Sequence, residues 1–197
     1  MNATRLIIIC CEGKTEQKYF EIIKDVFRGP YYLDVDIYGE KGQHMALIDY
    51  AARTQEDRIK KDGFERDEVS TWAVCDDDGM SFSYNELYKY AESKRINLAF
   101  SRPQFEVYLI QHFEQSKECN QQALFFRLSQ LRKQYGSKGN YNDSTKADLE
   151  WLERAIRDKP KLVDIAIVNS NIRKSQSANP FITVQALVKH LQALEVK

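Results

Sequence analysis

The stretch RLIIICCEGKTEQKYFEIIKDVF (Arg5–Phe27) decides the fold. Its first part, Leu6 to Cys11, is apolar without alternation, which is typical of a β-strand buried on both faces of a parallel sheet. In the segment that follows, apolar residues recur every three or four positions and charged residues, beginning with Glu16, fill the other side, which indicates a helix packed on that sheet. Residues 12–16 are predicted to form the loop before it. Glu12 falls in the connecting loop, at the carboxyl end of the strand, where open α/β sheets bind ligands.

The tripeptide Gly13-Lys14-Thr15 is similar to the end of a nucleotide-binding P-loop, which carries a glycine five positions before its Gly-Lys pair. That position here is Ile8, inside the apolar run. The sequence therefore excludes an ATP-binding P-loop, and Glu12 is interpreted as a carboxylate presented at the tip of the strand.

A second group of acids follows the run VSTWAVC (Val69–Cys75), whose β-branched and aromatic residues predict another strand. Asp76, Asp77 and Asp78 come directly after it. In extended backbone, residues i and i+2 point the same way, so Asp76 and Asp78 are predicted to share one cation while Asp77 faces elsewhere. Oxygen ligands without clustered His or Cys favour Mg²⁺ or Mn²⁺. The structural alternative is that Asp78 caps the next helix.

The order of the predicted elements indicates an α/β fold with a mostly parallel sheet of about four strands flanked by helices. The remaining strands are predicted at 33–38, on the edge, and at 96–100. The core is predicted to span 1–118, with a helical C-terminal extension over 119–197 packed on it as one structural unit. The helices of that extension are predicted at 121–134, 144–157, 161–168 and 180–195. A loop at 133–146 with two glycines is the best candidate for a mobile segment.

Another helix is predicted to open at Ser101-Arg102-Pro103 and to be deeply buried, because apolar residues cover nearly its whole circumference. Glu106 is the exception on this helix. It is either a third acidic contributor to the site or a partner for Arg102 one turn back. His112 on the same helix is interpreted as a core histidine, and the other two histidines are assigned no role.

Charge is unevenly distributed, although the chain is neutral overall. Residues 1–126 hold 16 Lys and Arg against 22 Asp and Glu, a net charge of −6, and residues 127–197 hold 13 against 7, a net charge of +6. The acidic half suits a metal-binding site and the basic half suits a polyanion, although solvated helix faces could give the same asymmetry. The four cysteines lack metal-site or disulfide spacing and are interpreted as small apolar residues. No apolar run suits a membrane span or a signal peptide, so a cytoplasmic location is expected.

Four stretches of the sequence carry a resemblance that covers nearly the whole chain: ICCEGKTEQKYF (Ile9–Phe20), VCDDDG (Val74–Gly79), FSRPQFEVYLIQHFE (Phe100–Glu114) and NPFITVQALVKHL (Asn179–Leu191). Through them the chain resembles the RloB-like family, which implies a Toprim-like fold. The sequence departs from the family pattern in two places: Arg102 replaces a residue that is more often small and polar, and Asp77 makes the acidic cluster denser than a minimal DxD.

The resemblance implies a Mg²⁺-dependent nuclease of the Toprim type, acting in bacterial phage defence and abortive infection. Glu12 would be the general acid/base or a metal ligand, and Asp76 and Asp78 would be metal ligands. Glu106 lies in a matching motif, without a settled role. The family is encoded beside an ABC-like ATPase, which would be the partner of this chain.

Three lysines, Lys14, Lys138 and Lys146, are predicted to contact phosphates of an RNA or DNA substrate, tRNA included. A non-catalytic alternative is a sensor or adaptor whose acidic cleft binds a nucleotide or the ATPase partner. A receiver-like phosphoacceptor fits less well, because only part of its acidic pattern is present. A homodimer is left open.

Overall fold

The computed structural model describes residues 4–27, 29–30, 33–171 and 175–195. The strands in these ranges are β1 (Leu6–Cys11), β2 (Asp34–Tyr38), β3 (Val69–Asp76), β4 (Asn97–Arg102) and β5 (Phe181–Ile182). The α-helices are α1 (Lys14–Val26), α2 (His44–Asp62), α3 (Tyr84–Ser93), α4 (Glu106–Gln111), α5 (Gln121–Gln134), α6 (Glu150–Asp158), α7 (Lys161–Ser170) and α8 (Val184–Ala193).

The five strands form one sheet in the order β2-β1-β3-β4-β5. β1 pairs in parallel with β2 and β3, and β3 pairs in parallel with β4, whereas β5 runs antiparallel to β4. The uniformly apolar β1 lies inside the sheet, between β2 and β3, and is completely buried, because helices cover both faces of the sheet. The alternating β2 lies on the edge, as predicted. The predicted α/β class is confirmed, with the mostly parallel sheet expected of a Toprim-like fold.

Helices cover both faces of the sheet, and the pleat of β1 divides its side chains between them. Ile7, Ile9 and Cys11 pack on the face covered by α1 and by α4 to α8, which we call the α1 face. The alternate residues of β1 pack against α2 and α3, on what we call the α2 face. Each residue at the end of a strand is therefore assigned to one face by its position in the pleat.

Two predicted helix starts were wrong because local backbone pairing takes precedence. The segment Ser101-Arg102-Pro103 does not open a helix: β4 continues to Arg102, and α4 begins at Glu106. The helix predicted at 144–157 begins only at Glu150. Before it, the hydroxyl of Thr145 accepts a hydrogen bond from the Asn142 N–H (3.0 Å), a turn contact that competes with helix formation.

The last predicted helix, at 180–195, was also placed too early. Phe181 and Ile182 form β5 and pair with the end of β4, so the sheet has five strands and α8 begins at Val184. The ring of Phe181 packs edge-on against Tyr84, with ring centroids 4.9 Å apart, and is buried on the α2 face. Packing of this aromatic side chain outweighs the helical spacing that follows it.

Residues from both sides of position 118 share the core of the α1 face, including Tyr108 from α4 and Trp151 from α6. The boundary between core and extension stays a prediction. The ambiguous stretch at 161–168 is helical, as expected, in α7. Cys10, Cys11 and Cys75 are buried within strands, as predicted. None of the helices in the described ranges has the length and apolarity needed to cross a bilayer.

Candidate metal centre

A cleft of about 600 Å³ opens at the carboxyl edge of the sheet, where β1 and β3 end and α1 and α2 begin. The structure brings together all four acids that the sequence analysis placed in the site, although they come from three distant segments. A fifth acid joins them. Seven acids line the cleft: Glu40 and Asp143 form ion pairs with lysines, and the other five are Glu12, Glu16, Asp76, Asp78 and Glu106.

Glu12 stays beside β3 because its backbone N–H continues the ladder to the carbonyl of Val74 (3.0 Å). Its carboxylate accepts a hydrogen bond from the backbone N–H of Asp76. The Oε2 atom is buried and has no hydrogen-bond partner among the described residues. Burial, followed by repulsion from Asp76, raises the pKa of Glu12 to about 8. A buried carboxylate oxygen without a partner favours either a proton or a cation.

Asp76 ends β3 and points to the α1 face, because it lies two residues after Val74 in the pleat. Its Oδ1 accepts a hydrogen bond from the Asp78 N–H (3.0 Å), and its carboxylate also accepts one from the Phe105 N–H. Burial raises the pKa of Asp76 despite these bonds. The two amides fix the carboxylate at the rim where Glu12 ends.

The neighbouring acids behave differently from each other. Asp77 faces away from the cleft, as predicted, and forms an ion pair with Arg102. Asp78 lines the cleft and does not cap the next helix, because Ser83 is the N-cap of α3 and accepts a hydrogen bond from the Glu86 N–H (3.2 Å). The capping alternative for Asp78 is therefore wrong.

Glu106 begins α4 and is only 5% exposed. It does not pair with Arg102, so that alternative is wrong as well. The hydroxyl of Tyr141 lies 3.0 Å from Glu106 Oε1 and 3.2 Å from the carbonyl oxygen of Lys146, and it donates to one of them. Burial raises the pKa of Glu106. Tyr141 belongs to the loop at 133–146 and is itself buried, so this loop is anchored beside the cleft.

Glu16 is the site residue that the sequence analysis misses. α1 begins at Lys14, earlier than expected, so Glu16 lies in its first turn and is 6% exposed instead of facing solvent. Its carboxylate accepts a hydrogen bond from its own backbone N–H, and burial raises its pKa to about 8. The signal in the sequence is an acidic residue in the first turn of a helix that follows the strand, where the helix dipole favours a negative charge.

A family model described as RloB-like protein matches residues 7–191, nearly the whole chain. The chain belongs to the RloB-like family. Neither the curated proteins nor the solved structures gave a match. The resemblance found in the sequence is thus confirmed for the family itself.

Two of the three lysines predicted to contact phosphate line the cleft of this RloB-like chain. Lys14 forms an ion pair with Glu40 (3.6 Å), and Lys146 forms one with Asp143 (3.5 Å). Lys138 is not among the residues that line the cleft. Lys14 and Lys146 therefore lie at the rim of the cleft, and each forms an ion pair with an acidic residue.

Two of the three histidines of the RloB-like chain, His44 and His112, lie near the site and in the core, respectively. His44, which was assigned no role, lies beside the cleft and donates from Nε2 to the carbonyl of Asp76 (3.1 Å). His112 is fully buried, as predicted: Nδ1 donates to the Leu109 carbonyl (3.1 Å) and Nε2 accepts from the Tyr19 hydroxyl (3.1 Å). Burial lowers its pKa to about 4, so it stays neutral.

The donor set of the cleft fits a hard divalent cation. Carboxylate oxygens dominate the lining, and the buried, unpartnered Oε2 of Glu12 provides a ligand atom that no protein group satisfies within the described ranges. In those same ranges, no three His, Cys, Asp or Glu side chains are already grouped tightly enough to hold an ion. Binding in the RloB-like chain would therefore require the carboxylates to turn toward one another.

Proposed function

We propose that this RloB-like chain is a nuclease that hydrolyses phosphodiester bonds of RNA or DNA with Mg²⁺ or Mn²⁺. One observation carries the proposal: carboxylates from the loop after β1, the end of β3 and the turn that follows it, α1 and α4 converge on one open cleft. Glu12, Asp76 and Asp78 would hold the metal, and Glu16 and Glu106 extend the ligand set. When bound, the metal would neutralise charge that develops on the phosphate and lower the pKa of a water nucleophile.

The electrostatics of the cleft explain why a cation is needed. Seven acidic residues and two lysines line it, so without a cation the cleft repels a polyanion. Bound divalent charge would offset that repulsion at the point where the scissile phosphate enters. Affinity for nucleic acid at this cleft should therefore depend on the metal.

The protein supplies three further elements to this reaction. Glu12 serves either as a metal ligand in its ionised form or, when it does not bind the metal, as a general acid/base, because without a cation its pKa of about 8 lets it hold or release a proton near neutral pH. Lys14 and Lys146 stand at the rim, where phosphates would pass. α2 begins at the same rim, and its N-cap residue Gln43 makes no side-chain capping bond, which leaves amide donors for an anion.

The biological setting proposed for this activity comes from the family. The RloB-like resemblance supports a role in phage defence and abortive infection inside the cell, with an ABC-like ATPase as the partner. The substrate would then be tRNA, other RNA or DNA of an infected cell.

The decisive experiment is cleavage of a mixed RNA and DNA panel by the purified chain with Mg²⁺, Mn²⁺ or EDTA, with and without the ATPase partner. Cleavage that requires metal and disappears with EDTA is expected. Metal-independent cleavage, or no cleavage in any arm despite measurable metal binding, would contradict a metal-dependent nuclease.

A non-catalytic sensor or adaptor is the second candidate, and one observation favours it. The cleft volume of about 600 Å³ lies within the range of small-ligand sites. Among the described residues, no three potential metal ligands are already close enough together to bind an ion. Saturable nucleotide binding without cleavage in the same panel would support this alternative.

A further inference from the structure

Asp77 forms an ion pair with Arg102, which is its only basic partner among the described residues. The guanidinium Nε donates to Asp77 Oδ2 (2.9 Å) and Nη2 donates to Oδ1 (3.3 Å), so the pair is bidentate. The arrangement follows from the register, because Asp76 lies opposite Ser101 and the next residues of the two strands are Asp77 and Arg102. Both side chains point to the α2 face, away from the cleft.

The guanidinium is also held from two other sides. Its carbon lies 5.5 Å from the ring centroid of Phe100, a fully buried residue, which is a cation–π contact. Its Nη1 donates to the carbonyl of Gln176 (2.8 Å), in the segment that leads to β5. Arg102 therefore joins the acidic turn to the sheet and to the C-terminal part of the chain.

We infer that Arg102 is a positioning residue for the metal site, which holds Asp77 on the α2 face and so orients Asp76 and Asp78 toward the cleft. The inference rests on the proposed function of that cleft. Three successive carboxylates repel one another, and a bidentate arginine both neutralises the middle one and fixes its direction. Without Arg102, Asp77 would turn toward the cation and the turn that carries Asp78 would lose its anchor, although two backbone amides would still hold the carboxylate of Asp76.

The pairing also accounts for the presence of two charges beside the site, because Asp77 and Arg102 are partners of each other. Each would be unfavourable alone: Asp77 by repulsion, and Arg102 as a charge only 16% exposed in its side chain.

The test measures Mn²⁺ binding by titration calorimetry, a readout that does not depend on cleavage. Arg102→Ala is expected to weaken Mn²⁺ binding about tenfold or more, as for other residues that orient metal ligands. Arg102→Lys should recover part of the loss, since it restores the charge but not the bidentate geometry. The matched control is Arg127→Ala, which removes another bidentate pair, with Glu114 (2.8 and 2.7 Å), outside the cleft, and should leave Mn²⁺ binding unchanged.

A double-mutant cycle with Asp77→Ala separates positioning from direct action. If Arg102 acts through Asp77, adding Arg102→Ala to Asp77→Ala should change the Mn²⁺ dissociation constant by less than about twofold, because coupled residues are not additive. Equal losses in both backgrounds would overturn the inference. So would a lower melting temperature of Arg102→Ala with unchanged Mn²⁺ binding, which indicates a purely structural role. Absence of metal binding in the wild type would instead refute the proposed function.

Discussion

The backbone N–H of Asp76 donates a hydrogen bond to the carboxylate of Glu12, across the boundary between β3 and β1. The bond forms because the two strands are parallel neighbours with Cys11 opposite Val74, so both chains leave the sheet side by side. Burial raises the pKa of both acids, and repulsion from Asp76 raises the pKa of Glu12 further. Protons and cations must therefore compete for the same oxygens.

Asp76→Asn should abolish Mg²⁺-dependent cleavage, because the amide removes a charged ligand at the centre of the site. The melting temperature should be unchanged or higher, since the repulsion between Asp76 and Glu12 is lost. A cleavage assay and a thermal melt on the same sample measure the two effects. Asp158→Asn, an exposed acid at the end of α6, is the control and should behave as the wild type. Full activity in Asp76→Asn would remove the metal hypothesis.

The free energy of unfolding should decrease as the pH rises from about 4.5 to about 8. Glu12 and Glu16 have an ordinary pKa of 4.5 and a folded-state pKa of about 8. Between these values the folded state binds more protons than the unfolded state, so stability falls with increasing pH. Urea unfolding at a series of pH values measures the slope. Stability that rises across this window would show that these carboxylates are not held in protonated form.

Glu16→Gln isolates one of these groups. The melting temperature of the variant should equal that of the wild type near pH 5, where Glu16 is protonated, and exceed it by a few degrees near pH 8.5, where the wild type buries a charge. About 1 kcal/mol corresponds to roughly 2–4 °C for a chain of this size. Mn²⁺ should stabilise the wild type more at the higher pH, because protons leave the ligands. The control is Glu92→Gln, an exposed position on α3, which should melt with the wild type at both pH values.

Tyr141→Phe tests whether the loop at 133–146 is anchored through the cleft. Loss of the buried hydroxyl bond should cost about 1 kcal/mol and lower the melting temperature by roughly 2–4 °C. Tyr88→Phe, at a side chain that is 43% exposed, should cause no change. Identical melting of Tyr141→Phe and the wild type would show that the hydroxyl contributes nothing to the anchor.

Gly13→Ala should weaken Mn²⁺ binding about tenfold with little loss of stability. The backbone of Gly13 is extended (φ −121°), which suits any residue, but a Cβ there would lie 2.7 Å from Glu16 Oε2 and displace that carboxylate. Gly63→Ala should show the reverse pattern. Gly63 has a φ of +72°, at which an alanine side chain would cost about 1 kcal/mol of stability. It lies at the end of α2 that is far from the cleft, so Mn²⁺ affinity should not change. Equal metal affinity in Gly13→Ala would refute the role given to Glu16.

Much of the fold could be predicted because single patterns determine it. β1 is apolar throughout since both of its faces are covered, and Glu12 had to follow it at the carboxyl edge of the sheet. The same logic placed Asp76 and Asp78 beside Glu12. These predictions needed only strand order and the period of a strand.

The remainder depends on contacts between distant residues, which a single sequence does not display. Phe181 was assigned to a helix by its spacing, whereas packing against Tyr84 and pairing with β4 make it part of a strand. Glu16 was assigned to solvent because the start of α1 was placed too late. His44 was given no role because Asp76, its hydrogen-bond partner, lies far away in sequence.

The pleat at the end of β3 also restricts how this chain can change its length. Gain or loss of one residue inside that strand would exchange the neighbours Asp76 and Asp77, sending the cleft acid to the arginine and the arginine's acid to the cleft. A change of two residues would preserve the assignment of sides. Insertions or deletions within β3 must therefore involve an even number of residues, whereas the surface loops have no such restriction.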